Sequence, residues 1–215
     1  MDEVPACFTI AFVAGVTLTR WTTAWAERQR RIPLAFIAAD LETQTSALHD
    51  GSADVSFVRL PIDSHGLSVI PLYTETPVVV VPKDHPVAAV EGITLAELLT
   101  EDRVDAQLSP QDAVELVAAG GGIVILPQSI ARLHARKDVV AREVTDAEPT
   151  RIAIAWVEAK TTAEVEEFVG IVRGRTAASS RAAPTPKTEK PRKETPKQTF
   201  RPVIQRQRPR KPRGR

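Results

Sequence analysis

The 215-residue chain has one cysteine, Cys7, so it cannot close a disulfide on itself or supply a cage of thiolates to a metal. That scarcity fits a reducing compartment. The opening Met-Asp-Glu-Val-Pro places acids where a secretory signal would place bases, so no export signal is expected. No apolar run approaches the roughly 20 residues needed to cross a bilayer. Together these absences predict a soluble, cytoplasmic protein with no membrane partner. Enzyme signatures are missing as well. There is no Gly-x-Ser-x-Gly elbow, and Gly120-Gly121-Gly122 lacks the Gly-Lys-Ser/Thr that would complete a phosphate loop. His49, His65, His85 and His134 are scattered without ligand spacing. Neither catalysis, nor a metal, nor a cofactor is expected. No internal repeat is present.

What the chain does have is apolar substance and a sharp division of charge. Hydrophobic residues make up 43% of it, enough for a real core, and the net charge is only +1. Residues 177–215, however, hold 13 Lys/Arg against Glu189 and Glu194, a net +11, which leaves −10 on residues 1–176. The division predicts an acidic globular body, 1–176, and a basic tail, 177–215. Seven prolines and only three sizeable apolar residues, Phe200, Val203 and Ile204, predict a disordered tail, because so little apolar surface cannot offset the entropy of ordering it.

Within the body, Phe8 to Val13, Leu34 to Ala38 and Asp54 to Val58 read as strands. They alternate with helices from Thr17 to about Arg30 and from Asp40 to Leu48. That order predicts a parallel sheet with right-handed crossovers. Ligands of such sheets bind beyond the carboxyl ends of the strands, here Gly15 to Thr17, Asp40, and Arg59 to Pro61. The hydroxyls of Thr17 and Thr19 are placed to cap the first helix. Trp21 and Trp25, four residues apart, share one helix face and predict core or subunit packing. Leu67 to Leu72 and Thr76 to Val81 give further strands. Thr94 with Glu97, and Thr161 with Glu164, form capping boxes before predicted helices. Leu116 to Ser129 is the most patterned stretch. An apolar helix ends in three glycines, then Ile123 to Leu126 reads as a strand covered on both faces. Pro127 stops it, and a helix from Gln128 to Arg136 follows.

The run Asp54-Val-Ser-Phe-Val-Arg-Leu-Pro61, then Ile70-Pro-Leu-Tyr-Thr-Glu75, then Val78-Val-Val-Val-Pro-Lys-Asp-His-Pro86 resembles the effector-binding domain of LysR-type transcriptional regulators. Leu116–Ser129 and Ile152-Ala-Ile-Ala-Trp156 extend the likeness, which covers about Thr9 to Arg173. The resemblance implies an α/β fold like that of periplasmic binding proteins. Two small α/β subdomains would be joined by crossing strands, subdomain I at about 8–80 and 151–174 and subdomain II at about 81–150. Three departures go with it. No stretch resembles the family's N-terminal winged helix-turn-helix. The segment between Leu99 and Val114 is short, so the second subdomain is expected to lack an element. The basic tail is foreign to the family.

The resemblance further implies a small-molecule effector, often a carboxylate, held at the start of the first helix by Val16, Thr17, Leu18 and Thr19, and a homodimer formed through that helix. For Thr17 the contact and the cap coexist. Arg59 either meets an anion in the cleft or forms a surface salt bridge, and Pro61 lies beside it. Gly121 either approaches the ligand or serves only the turn. In the tail, Lys187, Lys190, Arg192, Lys193, Lys197, Arg201, Arg206, Arg208, Arg210, Lys211, Arg213 and Arg215 suit sequence-independent binding of nucleic acid. The competing readings of that charge are attraction to the acidic body or a partner, and anionic lipid. The alternative for the whole protein is a degenerate effector domain that dimerises and interacts without ligand.

Overall fold

Branched and aromatic runs separated by turn residues build two sheets in the computed structural model, which describes residues 7–105 and 107–175. Strands β1 (Phe8–Val13), β2 (Leu34–Ala39) and β3 (Val55–Leu60) are parallel, linked by α1 (Thr19–Arg28) and the short α2 (Ser46–His49). This is the topology that the alternation of strand and helix predicts. Strands β4 (Leu67–Glu75) and β9 (Thr150–Val157) run antiparallel to one another and complete the first sheet, in the order β2-β1-β3-β9-β4. The second sheet holds β5 (Pro77–Pro82), β6 (Gly92–Ile93), β7 (Val124–Pro127) and β8 (Val139–Val144), in the order β6-β8-β5-β7. Helices α3 (Pro110–Ala118) and α4 (Gln128–Leu133) accompany it, and α5 (Ala163–Val172) returns to the first. Pro77–Pro82 pairs along its length with β7 and β8, so the outward passage falls at Thr76 rather than near residue 80. The return passage lies between β8 and β9.

Aromatic side chains organise the first subdomain. Trp25 stacks on Phe8 and Trp21 on Phe57, each with ring centroids 4.7 Å apart, and Phe168 of α5 meets Phe57 and Trp25 edge-on. Trp25 leaves only 1% of its surface exposed, and its indole N–H reaches the Ile32 carbonyl at 3.0 Å. The two tryptophans are therefore spent on the core of their own chain, and the expected dimer contact through that face is not available to them. The second subdomain packs Val78, Val80, Val114 and Val117 on one side of its sheet and Val79, Val81, Leu98 and Ile123 on the other.

Local differences from the sequence expectations have physical causes. Helix α1 begins at Thr19 with Leu18 at its cap and no side-chain hydrogen bond there, so neither Thr17 nor Thr19 caps it. The glycine stop after α3 behaves as predicted. Gly120 takes φ +82° and the Gly121 amide reaches back to the Leu116 carbonyl at 2.9 Å, the Schellman closure. Strand β7, expected to be covered on both faces, is an edge strand of half-buried residues, because among the described residues no further strand pairs beyond it. Helix α4 stops at Leu133 rather than Arg136. Thr94 and Glu97 close their reciprocal bonds on a turn, not on a helix. The cap of α5 is Thr162 instead of Thr161, whose hydroxyl accepts the Trp156 indole N–H. Between Leu99 and Pro110 the described residues hold one isolated bridge, Arg103 to Ile123, in place of a strand. The tail residues, with every nucleic-acid contact expected of them, lie outside the described residues.

Removing the central aromatic should therefore be costly. Phe57→Ala is expected to lower unfolding stability by about 3–5 kcal/mol, whereas Phe36→Ala on the half-exposed face of β2 should change it by less than about 1 kcal/mol. Urea denaturation followed by tryptophan fluorescence measures both.

Candidate functional site

The carboxyl ends of β1 and β2 open onto α4 across the gap between the subdomains. Gly15, at φ +88°, turns the chain out of β1 close against Ser129, and a Cβ on it would lie 2.5 Å from the Ser129 hydroxyl oxygen. Only glycine allows that approach. The contact divides the gap. On one side a cavity of about 570 Å³ is lined by Val16, Thr17, Ala39, Asp40, Ser129 and Arg132. On the other a cavity of about 890 Å³ is lined by Thr17, Thr19, Arg20, Tyr73, Gln128 and Arg132. The strand ends do make a cleft, and Val16, Thr17 and Thr19 line it. Leu18 packs against the aromatic core instead.

Arg59 is already paired within the chain. Its residue is 7% exposed, and its guanidinium is held by Glu75, with Nε at 2.7 Å from one carboxylate oxygen and Nη2 at 3.2 Å from the other. Nη2 also donates to the Ala14 carbonyl at 3.1 Å. A salt bridge is present, but it is buried, where the sequence suggests one on the surface. Glu75, 5% exposed, accepts further bonds from the Ser129 hydroxyl and from the Thr150 hydroxyl at 3.0 Å. Burial by itself would raise the Glu75 pKa. The Arg59 guanidinium and the hydroxyls of Ser129 and Thr150 outweigh it, and the carboxyl titrates below its ordinary value. Burial and the Glu75 charge push the Tyr73 phenol up.

The main chain of Arg59 has an unusual partner. Strand β3 pairs with β1 only over Val55 to Phe57, and beyond that the buried amide of Gln44 stands in for a strand. The Arg59 N–H donates to Gln44 Oε1 at 2.7 Å, and Gln44 Nε2 donates to the Arg59 carbonyl at 3.1 Å. The Ser56 hydroxyl donates to the Gln44 carbonyl at 2.8 Å.

Pro61 lies exposed past the end of β3, and Gly121 lies exposed in the turn after α3, so neither joins the cleft. The sequence reading missed Arg132, Ser129, Gln128, Arg20 and Glu75. A signal existed for three of them: Gln128, Ser129 and Arg132 follow Pro127 at a strand's end, where ligand-facing helices begin. Arg20 lies over the Trp21 ring at 4.6 Å, and neither Arg20 nor Arg132 has a carboxylate partner among the described residues. Among those residues no group of three or more His, Cys, Asp or Glu side chains converges for a metal ion, and no helix is long and apolar enough to cross a membrane.

Comparison with known proteins places this geometry. Residues 8–107 match the family described as LysR substrate binding domain. A probable hydrogen peroxide-inducible genes activator of Mycobacterium leprae is 28% identical over 149 residues, 57% of this chain and 48% of that protein. The chain thus spans about half the length of the curated relatives it matches. Among solved structures, the BenM effector binding domain with its effector benzoate aligns with a TM-score of 0.68 at 21% identity, over 85% of this chain and 97% of that one. A hydrogen-peroxide-bound OxyR variant of Corynebacterium glutamicum aligns with a TM-score of 0.65 at 21% identity, over 80% and 68%.

Removing the Glu75 charge isolates the energetics of the buried pair. Glu75→Gln leaves Arg59 buried and uncompensated, and the expected cost is about 3–5 kcal/mol at pH 7. Because the folded-state pKa of Glu75 is depressed, its contribution is fully present above the unfolded value of roughly 4.3 and is lost as pH falls through the lower folded value. The gap between wild type and Glu75→Gln should therefore narrow in urea denaturation as the pH is taken from 7 towards 3.

Proposed function

Since the chain carries a LysR substrate-binding domain, we propose that it is a cytoplasmic sensor in transcriptional control whose cleft takes a small anionic metabolite. One observation carries the reading. Arg20 from the first subdomain and Arg132 from the second line the same cavity with no carboxylate partner among the described residues, so an anion between the subdomains finds charge from both. Thr17 and Thr19 add hydroxyls, and the entrance of α1 adds amides with no partner further back in the helix. Arg59 contributes indirectly: already neutralised by Glu75, it leaves the choice of ligand to the exposed arginines. The protein acts by binding rather than by catalysis.

The peroxide-linked names among the relatives suggest a thiol sensor, but the chemistry here argues for a ligand instead. The one cysteine in these 215 residues, Cys7, is exposed just before β1 and cannot pair within the chain. We infer a homodimer through surfaces other than the tryptophan face. The outer edges of β2 and β7 are unpaired among the described residues, and Phe36 on β2 is 50% exposed. The basic tail supplies sequence-independent phosphate contacts.

A thermal-shift panel of small carboxylates, including benzoate, tests the cleft. A binder should raise the melting temperature with ligand excess, and Arg132→Gln should abolish the rise while leaving the unliganded melting temperature within a few degrees. Failure of every carboxylate to shift the protein overturns the sensor reading in favour of a ligand-free interaction domain. For the tail, fluorescence anisotropy with a DNA duplex across a salt series should give binding that weakens steeply with salt and disappears in a chain ending at Thr176. Equal binding by the shortened chain would remove the tail from that role.

A further inference from the structure

The buried carboxylate stands where the two subdomains meet, and its hydrogen bonds are not equivalent. Glu75 is the last residue of β4, Thr76 carries the chain into the second sheet, and Thr150, which pairs with Glu75 across the β4–β9 ladder, opens the return strand. The bonds from Arg59 and Thr150, and the bond from Arg59 to Ala14, all begin and end within the first sheet and its turns. The bond from Ser129 alone comes from the second subdomain. It comes from α4, whose first amide, Gln128 N–H, donates to the Thr76 carbonyl at 2.9 Å. Rotation of the second subdomain about its two connections carries Ser129 away from Glu75 and leaves the Arg59–Glu75 pair untouched.

We propose that the Ser129–Glu75 hydrogen bond is a latch that holds the two subdomains closed in the free protein. Three features make it fit for that work. The acceptor is ionised and out of water, which makes the bond charge-assisted and stronger than one between neutral groups. Glu75 cannot follow a departing Ser129, because Arg59 grips both of its oxygens. Gly15, with no side chain, lets Ser129 come close enough to reach it. Opening exchanges this bond for a solvated serine and a carboxylate that keeps its other partners. The equilibrium therefore shifts without unfolding either half.

Electron spin resonance distances across the cleft test it. Spin labels at Ala26→Cys on α1 and Glu115→Cys on α3, in a Cys7→Ser background, report the separation of the subdomains in the full chain without ligand. The distance distribution is expected to be single and narrow in the parent. In Ser129→Ala it should broaden or gain a longer component, with the melting temperature within a few degrees of the parent. Thr150→Val provides the complementary case: Glu75 loses a hydroxyl from its own sheet but keeps both Arg59 and Ser129, so the distribution should stay narrow even if stability falls. An unchanged distribution in Ser129→Ala overturns the latch. Equal broadening in both variants overturns it too, because the loss of any hydrogen bond on Glu75, rather than of the Ser129 contact, would then set the angle.

Discussion

A carboxylate taken out of water has to find in the protein every hydrogen bond that water gave it. Glu75 meets that requirement with a guanidinium gripping both oxygens and two hydroxyls, and those four donor contacts reach into three separate parts of the chain. The arrangement obliges β3 to end where it does, the ladder of β4 and β9 to stay in register at Thr150, and α4 to start beside Gly15. A hydrophobic pair of similar volume could have filled the same space, and buried ion pairs are often no more stabilising than that. What the pair adds is direction: a salt bridge with two hydroxyl partners has one geometry, whereas an apolar contact has many. The junction between the subdomains is the place where a single geometry matters most.

The same constraint reshapes the electrostatics of the cleft. An arginine at the carboxyl end of a central strand looks, in a sequence, like the natural anchor for an acidic ligand. Here its charge is consumed within 3.2 Å by its own chain, and the positive charge left facing the gap is that of Arg20 and Arg132, two side chains on helices that line it from opposite walls. A site whose charges sit on separate bodies couples ligand capture to the relative placement of those bodies.

Much of this was legible before any coordinates. The parallel β1–β2–β3 arrangement followed from strand and helix alternation, the glycine stop after α3 from the need for a positive φ, and the cleft at Val16–Thr17 from where strands of such sheets end. Other features were hidden because they depend on partners distant in sequence. Nothing near Arg59 announces that Glu75, sixteen positions on, returns across the sheet to neutralise it, or that Gln44 holds its main chain. The capping hydroxyls of Thr17 and Thr19 were misread because a helix start has a local signature, but tertiary packing of Leu18 decided it. Edge and central strands look alike in composition, and so β7 was expected to be covered. Periodicity reports which face of an element is apolar, not how many neighbours it has.

The clamp of Gln44 on Arg59 carries a consequence for how this domain can vary. A side-chain amide, with one donor and one acceptor held in a plane, reproduces the pattern of a peptide group, so on the side facing β1 the last residues of β3 are finished by a loop instead of by a strand. The loop from Leu41 to Thr45 is then free to change length or composition on either side, but not at that one position. Loss of the amide would leave an open stretch of backbone beside the subdomain junction. A passing strand from another molecule could pair there, turning a local defect into a route to self-association.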